Sequence, residues 1–212
     1  MRAVVGIVGY YPFLRGYPLG PELMAALRAK AWAEAVDIRE MNWGPIAIVQ
    51  DLQAQADPPD RVVLIGAVDR GMAPGTVTCR RWDGGALDPL AVQRRVFEGV
   101  TGVISLDNLV VIGAQFKVWP ETLLTVEWQS LESDLSDLVL GEIDAERERG
   151  TRAVIGERPL SADNRRIVER LVDVVRQAVL DDPRLEVQPL RIDQLAPAAP
   201  VSYHRFSSPF VQ

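Results

Sequence analysis

The chain has 212 residues, 48% of them hydrophobic and 25% charged, which excludes a disordered chain and supports one sizeable core. Its net charge of −6 argues against nucleic acid as the main partner, because phosphate binding needs clustered positive charge. The single cysteine, Cys79, and the single histidine, His204, exclude an internal disulfide, a zinc site built on several thiolates, and catalysis by a histidine of the folded core.

The N-terminal "MRAVVGIVGYYPF" lacks the small-residue cleavage pattern of a signal peptide, and no run approaches the roughly 18 apolar residues of a membrane span. A cytoplasmic protein with no membrane partner is therefore expected. "AVVGIVGY" (3–10) reads as a buried parallel strand, followed by the loop "YPFLRGYPLG". Pro21 opens the helix "ELMAALRAKAWAEA". "VDIREMNW" (36–43) reads as a second strand and "GPIAIVQDLQAQ" (44–55) as a second helix, with Ile46, Val49 and Leu52 at helical spacing. "RVVLIGAV" (61–68) is the third and most buried strand, and the alternation in "GTVTCRRW" (75–82) marks an edge strand.

Residues 88–100 are helical in part. Residues 104–119 are ambiguous, because β-branched residues favour strand while length favours a buried helix. "TLLTVEWQ" (122–129) is a strand, and 130–150 is an amphipathic helix. Residues 159–182 form the last long helix, with Ser161 or Asp163 as its cap. A Pro/Ala/Ser-rich tail closes the chain. Alternating strands and helices imply an α/β fold: one doubly wound, mostly parallel sheet with helices on both faces, a phosphorylase/hydrolase-like three-layer sandwich. Residues 1–185 are expected to form that domain and 186–212 an extended tail. A ligand crevice would lie at the carboxyl ends of the strands, around residues 9–20, 42–45, 66–71 and 104–108.

Four segments, taken in order, resemble the hydrogenase maturation endopeptidases, the nickel-recognising proteases that trim the C-terminus of [NiFe]-hydrogenase large subunits. "GIVGYYPFLRGYPLGPELMAAL" is similar to the family's first strand, glycine-rich loop and helix. "VVLIGAVDRGMAPGTV" is similar to its third strand followed by D-A-V-D-x-G-x-x-P-G-T, the most specific of the four. "ISLDN" is similar to its M-S-L-H-Q segment, and "TLLTVEWQ" with the final helix to its closing strand and helix. The resemblance spans about residues 3–180 and implies a helix over 105–118. The segment 131–158 is longer than the family's, and the tail after 185 has no counterpart.

The resemblance also implies where a metal would be held: an acid in the first loop, the first Asp of D-A-V-D, and the His of S-L-H. These positions are Tyr17, Gly66 and Asp107 here. Glycine offers no donor and protonated tyrosine a poor one, so one carboxylate stands where convergent N, O or S donors are needed. No resident cofactor is therefore expected; nickel enters only on a substrate or in a site rebuilt from Asp69, Asp107 and His204.

The candidate crevice comprises Tyr17, Gly66, Asp69, Asp107 and Asn108, with no residue assigned a catalytic role. Asp69 reads as a turn former more readily than as a ligand or base, and Asp107 as a helix cap more readily than as an oxygen ligand. Glu127 reads as solvent-facing more readily than as a crevice acid. Tyr10, Tyr11, Phe13 and Tyr17 fit packing or a recognition platform. Gly6, Gly9, Gly16 and Gly20 match no dinucleotide fingerprint.

Three functions stay open. The first is a non-catalytic accessory or binding protein, a pseudoenzyme whose partner is a hydrogenase large subunit or a related protein. The second is an active, divergent endopeptidase trimming such a subunit. The third is a small-ligand or nucleotide binder.

Overall fold

The computed structural model describes residues 1–8, 19–33, 35–41, 44–85, 87–100, 105–129 and 162–195. Among the described residues six strands form one sheet: β1 (Arg2–Val8), β2 (Ala35–Met41), β3 (Arg61–Val68), β4 (Val77–Trp82), β5 (Thr122–Gln129) and β6 (Val187–Leu190). The spatial order is β2-β1-β3-β5-β4-β6. Only the β4–β5 pair is antiparallel; the others run parallel. This is the doubly wound, mostly parallel α/β sheet that the alternation of elements implied.

Side-chain alternation along the strands builds two layers. Val63 and Ile65 of β3 and Leu124, Val126 and Trp128 of β5 face helices α1 (Leu19–Arg28) and α5 (Ala162–Leu180), where Leu27, Leu171 and Val175 are wholly buried. Val62, Leu64 and Val68 face the opposite layer, helices α2 (Pro45–Gln53) and α4 (Leu106–Gln115), with Ile48, Leu109 and Val110 in that core. Each such side chain contributes about 1.5–3 kcal/mol by leaving water. Helix α3 (Pro89–Val100) packs against α2 and α4.

Several expectations are corrected. The first helix stops at Arg28, and the indole of Trp32 instead donates to the Leu27 carbonyl. Strand β4 is not an edge, because β6 pairs with it from Cys79↔Val187 to Trp82↔Leu190. The sheet thus continues beyond residue 185, into what was expected to be tail. The helix over 105–118 forms over Leu106–Gln115 despite its β-branched residues. Its burial on both α2 and β3 sides decides against propensity. The helix expected at 130–150 and the tail from 196 lie outside the described residues.

Candidate functional site

The loop leaving β3 is the D-x-G-x-x-P-G-T segment, Asp69–Thr76. Gly71 and Gly75 take positive φ values of 67° and 80°, a backbone region that glycine enters without a Cβ clash. Asp69 accepts from the Gly71 N–H at 3.1 Å, the turn-forming role expected of it. The Gln129 side chain holds the loop from β5: its Nε2 donates to Asp69 at 2.9 Å, while its Oε1 accepts from the N–H groups of Arg70 and Met72. The Gly71 and Gln129 donors keep the Asp69 carboxyl below its ordinary pKa. Asp69 is therefore an exposed turn acid bound to its own loop.

That loop aims Arg70 back under the end of the sheet. Polar residues alternate on the α4 face here: Thr125, Glu127 and Gln129 on β5, with Thr78 paired across to Glu127 and Arg80 to Thr125. Glu127 is 0% exposed, correcting the solvent-facing reading. Helix α4 brings Asp107 over the same spot. Ser105, not Asp107, caps this helix, accepting from the Asn108 N–H.

The Arg70 guanidinium spends all five N–H donors on these groups. Nη1 and Nη2 reach the two oxygens of Asp107 at 2.8 and 2.6 Å. Nε and Nη2 reach the two oxygens of Glu127 at 3.1 and 3.0 Å. Nη1 also donates to the Gln194 carbonyl at 3.2 Å. Nε of Arg80 lies 3.3 Å from Glu127 Oε2, and the Thr125 hydroxyl donates to Oε1 at 3.1 Å. Among the described residues, two guanidiniums and two carboxylates thus meet in one cluster. The Arg70, Asp107 and Glu127 side chains are only 7%, 6% and 0% exposed. Burial pulls the pKa of Arg70 down, but Asp107 and Glu127 outweigh it and hold it above the usual arginine value.

Gly66 explains how α4 comes so close. A Cβ added there would lie 2.9 Å from Leu106 Cβ, so no side chain fits without moving the helix. Position 66 is closed to a metal-ligating acid, and both Asp107 oxygens are engaged by Arg70. Among the described residues no cluster of His, Cys, Asp and Glu could hold a metal ion. Asn108 is wholly buried, with neither side-chain polar atom hydrogen-bonded. Tyr10, Tyr11, Phe13, Gly16, Tyr17 and His204 lie outside the described residues.

The sequence reading missed Arg70, Arg80 and Gln129. The available signal was the T-x-E-x-Q alternation of β5: a polar row on a central strand covered on both faces needs buried partners.

No protein-family model matches the chain, and no curated protein matches it. Among solved structures, the hydrogenase 2 maturation peptidase of a Thaumarchaeota archaeon is 16% identical, with a TM-score of 0.45, 84% of this chain covered and 98% of that one. The hydrogenase maturating endopeptidase HybD of E. coli is 20% identical, with a TM-score of 0.40 and coverages of 71% and 94%. The endopeptidase HycI of Escherichia coli is 18% identical, with a TM-score of 0.42 and coverages of 83% and 90%. Identities of this size assign no activity.

Proposed function

We propose that this chain acts by binding: it is a non-catalytic accessory protein of hydrogenase maturation, with a hydrogenase large subunit or a related protein as its partner. The motif order, above all D-R-G-M-A-P-G-T, supports the link to that process. The observation that carries the non-catalytic half is the engagement of both Asp107 oxygens by Arg70 beside a side-chain-free Gly66. Metal recognition needs free donors converging on one point, and the donor set at these positions does not fit a nickel ion. A general base must likewise be free to accept a proton, and these carboxylates are tied to guanidiniums.

One form of the endopeptidase reading, a metal contact rebuilt on the protein rather than supplied by the substrate's own nickel, would need Asp69 and Asp107 to converge. Instead Asp69 turns to Gly71 and Gln129, while Asp107 turns to Arg70. Of the glycines weighed for a nucleotide reading, Gly6 packs against Met41 of the neighbouring strand, while Gly9 and Gly16 of the first loop lie outside the described residues. Among the described residues no helix is long and apolar enough to cross a membrane.

The test is to mix the purified chain with a nickel-loaded hydrogenase large-subunit precursor, isolate complexes by size exclusion, and weigh the precursor by intact mass spectrometry. A stable complex with unchanged precursor mass is expected. A precursor shortened at its C-terminus would make the chain a peptidase, and no complex with precursor or mature subunit would remove this partner.

A further inference from the structure

The segment following α5 runs back across the site just described. Strand β6 adds to the sheet beside β4, and the turn Ile192–Gln194 lays its backbone on Arg70. Its pairing is the shortest among the described strands. β6 pairs over four residues with one neighbour, whereas β3 and β5 pair over eight. Val187 is 36% exposed, and of the four β6 residues only Leu190 is buried. On the α5 side, Leu185, Glu186 and Gln188 line an open cavity of about 650 Å³ shared with Arg170, Asp173 and Gln177, so one flank of the segment lacks close packing.

What holds the segment is a short series of anchors. Leu190 and Leu195 enter a small cluster with Val111 and Trp82. Ile192 packs on Gly85, where an added Cβ would lie 2.6 Å from its Cγ2. Backbone carbonyls add further contacts: Leu190 accepts from the Asp83 N–H at 2.9 Å, Pro189 from Arg80 at 3.5 Å, and Gln194 from Arg70 at 3.2 Å. Because the Leu190 carbonyl faces β4, alternation turns the backbone nitrogen of Pro189 away from β4. Proline has no N–H to offer there, which blocks a further strand from adding at that edge. A new strand at this side is therefore better served by taking the place of β6 than by adding outside it.

We propose that residues 187–195 are a self-docked strap occupying a groove for an extended peptide, and that a partner peptide displaces it. The groove reads two apolar side chains at the spacing of Leu190 and Leu195 and backbone carbonyls at β4 and Arg70. Such recognition is β-strand addition, in which main-chain bonds supply affinity and side-chain pockets supply specificity. The inference goes beyond the function proposed above, because it concerns how this groove is read and holds whatever protein carries the peptide.

Two measurements on the full-length chain test it. In native-state hydrogen exchange, the β6 and Gln194 amides are expected to exchange at least about tenfold faster than those of β3 and β5, through a local opening. In the second, a fluorescent peptide of residues 186–195 (EVQPLRIDQL) is titrated into the intact chain and into a Leu190→Ala/Leu195→Ala variant with its strap loosened. The peptide should bind the variant at least about tenfold more tightly than the intact chain, while a scrambled peptide binds neither. The hydrogen-exchange arm needs no variant and so keeps the proposal testable if the double variant does not fold. Strap amides that exchange in step with β5, or a peptide that binds the variant no better than the intact chain or the scrambled control does, would overturn the proposal.

Discussion

Replacing Arg70 with methionine isolates what the cluster contributes. Methionine keeps much of the side-chain volume and removes the charge and five hydrogen bonds, four of them to carboxylates. Asp107 and Glu127 are 6% and 0% exposed, so water cannot take over from the guanidinium without the site opening. Arg80 still reaches Glu127 at 3.3 Å and offsets part of the loss there. Removing one member of a buried ion pair costs about 3–5 kcal/mol, because the partner charge stays behind uncompensated. For a chain of this size that corresponds to roughly 6–20 °C in Tm.

The assay is urea unfolding at pH 7, followed by far-UV circular dichroism. Adding Asp107→Leu to Arg70→Met removes one stranded charge, so the double variant should be more stable than Arg70→Met alone, a coupling that a double-mutant cycle reads directly. A cost below about 1 kcal/mol would refute the reasoning, for it would place the cluster among solvent-screened surface pairs.

Three further outcomes are expected. Gly66→Asp, which restores the acid of the resembled motif, should destabilise by at least the roughly 1–3 kcal/mol typical of overpacking; Leu106→Ala in the same chain should relieve part of that, and calorimetry should find no gain in Ni(II) affinity. Ser105→Ala should lose about 1 kcal/mol with the cap of α4, whereas Asp107→Asn should leave the cap itself intact, as measured by helix amide exchange. Burial, with the nearby Glu127 charge, pushes the Cys79 thiol up to about 12, against a weaker opposing pull from Arg81. The unfolded thiol ionises first, so this contribution to stability is complete below about pH 8.5 and is lost as pH rises towards about 12; accordingly, iodoacetamide at pH 8 should label Cys79 in urea but not in the native chain.

Much of the fold was legible because its signals were local. The apolar runs of β1, β3 and β5 and the helical spacing in α2 each specify an element within a few residues. The site was less legible because its members meet only through the sheet. Arg70 looks like a loop arginine until β5 is placed beside β3, and Glu127 looks like a strand-end acid until α4 covers it. Strand β6 was hidden for a related reason. A four-residue strand carrying a proline has no pattern of its own, and it exists only because β4 offers an edge and Val111 and Trp82 offer apolar surface.

Two of the positions compared with the resembled motif, Gly66 and Asp107, have one geometric logic. With glycine at 66, the first turn of α4 rests against β3 through Leu106. That contact delivers the next residue, Asp107, onto Arg70. A histidine at 107 would bring no anion to the site and would leave Glu127 alone against two guanidiniums. An aspartate at 66 would push Leu106, and Asp107 with it, off the cluster. Gly66, Arg70 and Asp107 therefore make sense together and not singly. The positive charge of this crevice is carried on the chain itself, bonded at all five donors. A charge so fixed can position a loop and hold the carbonyl of a strap, as Arg70 does with Gln194. On the proposals above, the strap across Arg70 is the element through which a partner would enter.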